Sequence, residues 1–273
     1  ASEMAAHDLR LAGVSPIYLN FPETALSEAQ ERFLAPVADR ATFESLKDFA
    51  VGEFFRRDVY VKGAARRSTE VVAAYVDETQ WLAAASWPPA ERVVRLPQRT
   101  LPLGGPIFDA LIAGLDAGSV SVPALAASGD LSPDHVRAAL VRLLLGDYVM
   151  PLRGPARPAP TADRFSVPSA YNQMMLRQLA SDAPIILASD IAGTAFTMSA
   201  LNGLAVRALT EVGPKERARW IEEIVARGVV RVRVGDRLIE EPEGQLRAIG
   251  DAVEQLRTRH LAKLVELGIL SPA

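Results

Sequence analysis

The chain has no cysteine, only three histidines and no excess of positive charge. Without cysteine there is no disulfide, no thiolate nucleophile, no cysteine–zinc site and no iron–sulfur cluster. His7, His135 and His260 lie far apart with no metal spacing, and packing or surface roles are expected for each. Neither an H-x-x-x-H nor a G-x-S-x-G pattern occurs. A net charge of −3 gives no global field for nucleic acid or anionic lipid. No apolar run approaches the roughly 20 residues needed to span a bilayer. Ala1-Ser2-Glu3-Met4 has neither a basic nor an apolar leader region, so no signal peptide is expected and the anticipated location is cytoplasmic.

What is present is length and a varied pattern. At 273 residues, two or three domains are expected. A chain of this size buries roughly 70–75% of its unfolded surface and needs no covalent staples. The pattern predicts an α+β fold, predominantly α, in three parts. Residues 1–105 read as a small mixed α/β domain. Ser27 and Gln30 form a capping-box pair for a helix reaching about Val37, and a second helix starts near Thr42. Ile17-Tyr18-Leu19 and Val59-Tyr60-Val61 read as extended. Val93–Leu96 and Thr100–Leu103 read as strands, while 71–76 and 81–85 are apolar runs of undecided type.

Residues 106–153 read helix, short helix, helix, strand, the order of a winged helix. Pro106 and Pro133 stand at first helical positions, and Gly118, Gly129 and Gly146 mark the ends. Residues 154–165 are Pro-rich and read as a linker. Residues 166–273 read as a helical domain with one β-hairpin, Val230–Val234 and Arg237–Ile239 around Gly235-Asp236. Its last helix, about Glu243 to Leu267, carries an apolar stripe including His260.

Candidate chemistry is sparse. Leu103-Gly104-Gly105-Pro106 is the nearest approach to a cofactor loop, but it lacks G-x-G spacing and Pro106 removes an N–H donor. The paired acids Asp77-Glu78, Glu222-Glu223 and Glu240-Glu241 are adjacent in sequence, so their side chains diverge. The densest feature is a basic cluster, Arg56, Arg57, Lys62, Arg66 and Arg67, with Tyr60 among them. Five cations against Asp58 leave a local charge of +4. Such a patch can hold an acidic partner surface or phosphate, or its cations can wrap Phe54, Phe55 and Tyr60. The winged-helix order opens an alternative, a DNA-binding regulator using Arg137, Arg142 and Arg153; those cations are few for a recognition helix, and nucleic acid is not the favoured partner. A third reading is a complete enzyme whose site is assembled from scattered polar residues.

Phe55-Arg56-Arg57-Asp58-Val59-Tyr60-Val61-Lys62-Gly63, with Leu9-Arg10-Leu11-Ala12-Gly13 and Leu46-Lys47-Asp48-Phe49, resembles the regulatory domain of bacterial class I S-adenosylmethionine-dependent methyltransferases. Leu187-Ala188-Ser189-Asp190-Ile191-Ala192-Gly193-Thr194 and the last helix resemble the helical tail of the same proteins, which are similar to lysine methyltransferases acting on bacterial outer-membrane proteins. The resemblance implies a non-catalytic region beginning just after the catalytic domain. It carries over no catalytic, cofactor or metal residue. S-adenosylmethionine would belong to a Rossmann-like catalytic domain, the chain's implied partner, and the substrate would be a macromolecule, with protein the favoured class. Arg56, Arg57, Tyr60, Lys62, Arg66 and Arg67 form the candidate interface.

Overall fold

The structure is a computed structural model of the chain. It describes residues 2–273 apart from 64, 66, 85–88, 90, 158–161, 163, 180–182, 229, 230, 235 and 236. The fold is mixed α+β, about half helical, with small two-stranded sheets. The chain divides into two compact units, Ala1–Pro151 and Leu152–Ala273.

In the first unit, β1 (Leu9–Ser15) pairs antiparallel with β2 (Arg57–Lys62), with a register irregularity between Leu11 and Gly13. Between these strands lie helical segments. Ile17–Asn20 is a 3₁₀ turn, where the sequence suggested extended chain. The Asn20 side chain explains the tight path. It accepts from Val14 N–H at 2.7 Å and donates to the Val14 and Ile17 carbonyls, so local side-chain bonding replaces a strand partner.

Helix α1 (Glu28–Leu34) starts at Ser27, and the capping box with Gln30 is formed. Helix α2 (Arg40–Val51) is capped by Asp39, one turn before Thr42, because the Asp39 carboxylate accepts the Thr42 N–H at 2.8 Å. A small core of Val14, Leu19, Ala25, Leu26 and Leu34 lies beneath, with Phe43, Ala50 and Val51 packed against it.

The undecided runs separate into α3 (Thr69–Glu78) and β3 (Gln80–Ala83). Strands β4 (Val93–Arg95) and β5 (Thr100–Pro102) pair as a hairpin. Helices α4 (Pro106–Asp116), α5 (Val122–Gly129) and α6 (Pro133–Leu145) follow, then β6 (Val149–Leu152). The helix, short helix, helix, strand order is present, but β6 takes its partner, β3, from upstream of residue 106. Phe108, Leu111, Leu125, Val136, Leu140 and Leu143 fill the larger core of this unit. The Tyr148 hydroxyl donates to the Val93 carbonyl at 3.1 Å and ties β4 to the turn after α6.

In the second unit, β7 (Phe165–Ser166) pairs with β12 (Ser271–Pro272) at the far end of the chain. Between them come α7 (Ala170–Arg177), the hairpin β8 (Ile185–Ser189) and β9 (Thr194–Met198), α8 (Ala200–Thr210) and α9 (Arg217–Ala226). Strands β10 (Val232–Val234) and β11 (Arg237–Ile239) form the hairpin read from the sequence; Gly235 and Asp236 lie outside the described residues.

The long last helix is present as α10 (Pro242–Gln255), a π-helical turn (Leu256–His260) and α11 (Leu261–Glu266). Helix α8 packs on α10, with Leu204, Ala205, Val206 and Ile249 essentially inaccessible. The buried Asn172 amide grips β8 by exchanging bonds with the N–H and C=O of Ala188 at 2.7 and 2.8 Å. An unpaired amide at that depth would cost about 1–3 kcal/mol, so this bond fixes where α7 meets the hairpin.

Candidate interaction surface

Helix α2 presents itself in an unusual way. Its one fully buried side chain is Lys47, 1% exposed, whereas Phe49 is 89% exposed. The Lys47 ammonium donates to the Leu19 carbonyl at 2.7 Å and to Glu44 Oε2 at 2.6 Å. Arg56 continues the network. Its Nη1 lies 2.9 Å from Asp48 Oδ2 and 3.5 Å from Glu44 Oε2, and its Nε lies 2.6 Å from Asp58 Oδ1. The Tyr60 hydroxyl donates to Asp58 Oδ2 at 3.2 Å. Burial pushes the Asp48 carboxyl up, against the opposing pull of Arg56 and Lys47. Burial likewise disfavours the Arg56 cation, and the bond to Asp58 with the charges of Asp48, Asp58 and Glu44 overcomes it.

The candidate residues therefore separate. Arg56 and Tyr60 belong to an internal network of two cations and three carboxylates, whose summed charge is −1. Arg57, Lys62 and Arg67 are exposed, and among the described residues no ion pair engages them. Arg66 lies outside the described residues. Of the four cluster cations among the described residues, three stand at the surface and Arg56 is drawn into the network.

The larger signal is apolar. Fourteen large apolar side chains stand exposed among the described residues, and eleven of them fall between Ile17 and Tyr75. Phe54 is 100% exposed, Phe55 84% and Phe33 75%, so the cations do not wrap the phenylalanine pair. Val59 and Val61 face outward on β2, and α3 buries none of its side chains while exposing Val71, Val72 and Tyr75. Single exposed apolar residues are ordinary; a concentration of this kind is what makes the segment a candidate interaction surface. A usable sequence signal existed: Phe54-Phe55 follows the helix-ending Gly52, and two large aromatics in so short a loop cannot both reach one core.

Other candidates carry less. Arg137 is clamped by Asp77, at 2.6 and 2.7 Å, and by Asp134, which leaves a weak cation for a DNA backbone. Arg142 is exposed. Gly105 is the N-cap of α4 with φ +95°, and Pro106 occupies the first helical position. That turn lacks the backbone N–H array which a nucleoside-binding loop presents, so these residues do not fit S-adenosylmethionine. Among the described residues, no group of three or more histidines and carboxylates could hold a metal ion. No helix there is long and apolar enough to cross a membrane.

Residues 1–62 match the family model described as "Predicted methyltransferase regulatory domain". No curated protein matches the chain. Two solved structures of PKMT2 from Rickettsia typhi share its fold. One aligns with a TM-score of 0.60 at 11% identity, covering 95% of this chain and 57% of that one. The other, PKMT2 in complex with AdoHcy, aligns with a TM-score of 0.61 at 12% identity, covering 95% of this chain and 56% of that one. The chain thus spans less than two thirds of the length of the proteins whose fold it shares.

Proposed function

We propose that this chain is the regulatory and substrate-positioning part of an S-adenosylmethionine-dependent protein methyltransferase, working with a Rossmann-like domain that binds the methyl donor. Its N-terminal segment matches the methyltransferase regulatory domain model, and its fold follows that of PKMT2 from Rickettsia typhi. The AdoHcy bound by that neighbour points to the same donor chemistry for the partner domain. Methyl transfer needs a nucleophile and a sulfonium carbon held in line. A positioning domain contributes by fixing the two relative to each other, which raises their effective molarity.

The observation that carries this reading is the surface of exposed apolar residues between Ile17 and Tyr75, flanked by Arg57, Lys62 and Arg67. It offers solvent-exposed aromatic side chains together with cations, the residue types that anchor protein interfaces once a partner excludes water. The DNA-binding alternative has no comparable surface, since Arg137 is already held by two carboxylates.

The test is calorimetric titration of the purified chain into a Rossmann-like methyltransferase domain of the PKMT2 type, followed by labelled-methyl incorporation into protein. Association and faster methylation are expected. Replacing Phe49, Phe54 and Phe55 together by Ser should weaken association by about tenfold or more, as loss of central aromatic anchors does. Tight capture of S-adenosylmethionine by the chain alone, or equal association of the triple variant, would overturn the reading.

A further inference from the structure

The second unit contains an open cleft of about 690 Å³ that the surface described above does not involve. Arg153, Arg157, Ser169, Asp190, Thr194 and Gly268 are among its lining residues. The backbone holds both arginines in place: Arg153 N–H donates to the Ile191 carbonyl and Arg157 N–H to the Glu266 carbonyl. Arg157 Nη1 also donates to Ser271 Oγ. Among the described residues no carboxylate pairs with either guanidinium. Ser169 Oγ accepts the Asn172 N–H, which leaves its own hydroxyl hydrogen to donate outward.

The floor is shaped by two glycines with left-handed backbone. Gly193 has φ +64°, and a Cβ there would lie 2.1 Å from Arg153 Cδ. Gly268 has φ +69°, and a Cβ there would sit 3.1 Å from Asp190 Oδ1 and 3.4 Å from Arg157 Cζ. Any larger residue at these positions would meet the arginines or strain the turn. The stretch Leu187–Thr194, whose role the interaction surface leaves unexplained, builds one wall: β8, its turn and the first residue of β9.

We propose that this cleft binds an acidic segment of a polypeptide, with side-chain carboxylates on Arg153 and Arg157. Guanidinium groups bind planar carboxylates through paired hydrogen bonds. Asp190 selects among anions: a carboxylate monoanion tolerates its charge better than a phosphate dianion does. The cleft is open to solvent, so a segment of a larger chain can reach it. The inference deepens the reading above by naming a substrate class, an acidic peptide, and rests on that reading only for the ligand being a polypeptide.

The experiment is fluorescence anisotropy of the full chain with a short labelled peptide carrying adjacent glutamates, beside its glutamine counterpart, with inorganic phosphate as competitor. No methyl donor or catalytic domain is present, so this test can fail while the proposed function stands, and the reverse. The glutamate peptide should bind at least about tenfold more tightly than the glutamine peptide, the scale of a charge-assisted hydrogen bond. Arg153→Gln, whose fixed contact is a backbone one, and Arg157→Gln should each remove most of that preference, and Asp190→Asn should strengthen it. Equal binding of the two peptides, undiminished preference in both arginine variants, or tighter binding of phosphate than of the glutamate peptide would overturn the proposal.

Discussion

Helices α2 and α8 are nearly the same length and show opposite uses of an apolar face. Helix α8, in the second unit, buries Leu204, Ala205, Val206, Ala208 and Leu209 and turns few apolar groups to solvent. Helix α2, in the first unit, fully buries only Lys47 and turns Leu46 and Phe49 outward. A core helix is accounted for by its own unit. A helix that hides an ammonium and shows a phenylalanine is not, since transferring those groups separately would favour the reverse. The lysine remains inside because Glu44 and the Leu19 carbonyl satisfy it; the phenylalanine has no such partner among the described residues of its own unit, and under the proposed function a second protein covers it.

The strongest test of that contrast is Lys47. Lys47→Ala strips Glu44 and the Leu19 carbonyl of their donor and leaves a void, at a cost of about 3–5 kcal/mol for breaking a buried pair. Lys47→Met keeps the volume and should cost less than the alanine variant. Hydrogen exchange should localise the loss to residues 9–62 and leave the second unit protected. Loss spread evenly over both units would show that the network is not local. Leu204→Ala is the mirror experiment, costing about 2–5 kcal/mol with its loss confined to the second unit.

At the exposed positions the expected stability effect is close to nil. Phe54→Ser should change the urea midpoint by no more than about 0.5 kcal/mol equivalent, while improving solubility. A loss above about 2 kcal/mol, the scale of large core truncations, would mean that Phe54 packs within the unit, and the comparison between α2 and α8 would lose its meaning.

The same contrast explains what the sequence could and could not convey. Local signals were legible: the Ser27–Gln30 capping box, the β4–β5 pair and the β10–β11 hairpin all form from residues near one another. Segments 71–76 and 81–85 were ambiguous because short apolar runs suit either state, and their neighbours decided the outcome. Ile17–Leu19 was misread because the side chain of Asn20, not the apolar pattern, sets that backbone. The hairpin β8–β9 went unread, since its register depends on Asn172 gripping Ala188 from another helix. The basic cluster was visible in composition, but the fate of Arg56 was not. It depends on Glu44 and Asp48, which come from α2, and periodicity alone gave no reason to turn α2 with Lys47 inward.

The smallest expected effect concerns His260, at the end of the π-helical turn in the second unit. Burial lowers its pKa below the usual histidine value, and nearby Lys263 and Arg259 act in the same direction. The unfolded chain therefore binds the proton first as pH falls below about 6.5, and native stability declines through that window until the folded form protonates as well. Glu266 and Asp48 act with the opposite sign. Burial raises both carboxyls, so the native state takes up protons before the unfolded chain and gains stability as pH falls toward the acid range. Comparing His260→Gln with the parent separates the two contributions, because the carboxyl effects are common to both proteins. The parent's urea midpoint should fall relative to the variant between pH 7 and the lowered histidine pKa, and the gap should then stay constant. Parallel profiles across that range would show that His260 is as well solvated in the folded chain as in the unfolded one, and that the π-helical turn is open to water rather than part of the second unit's packed side.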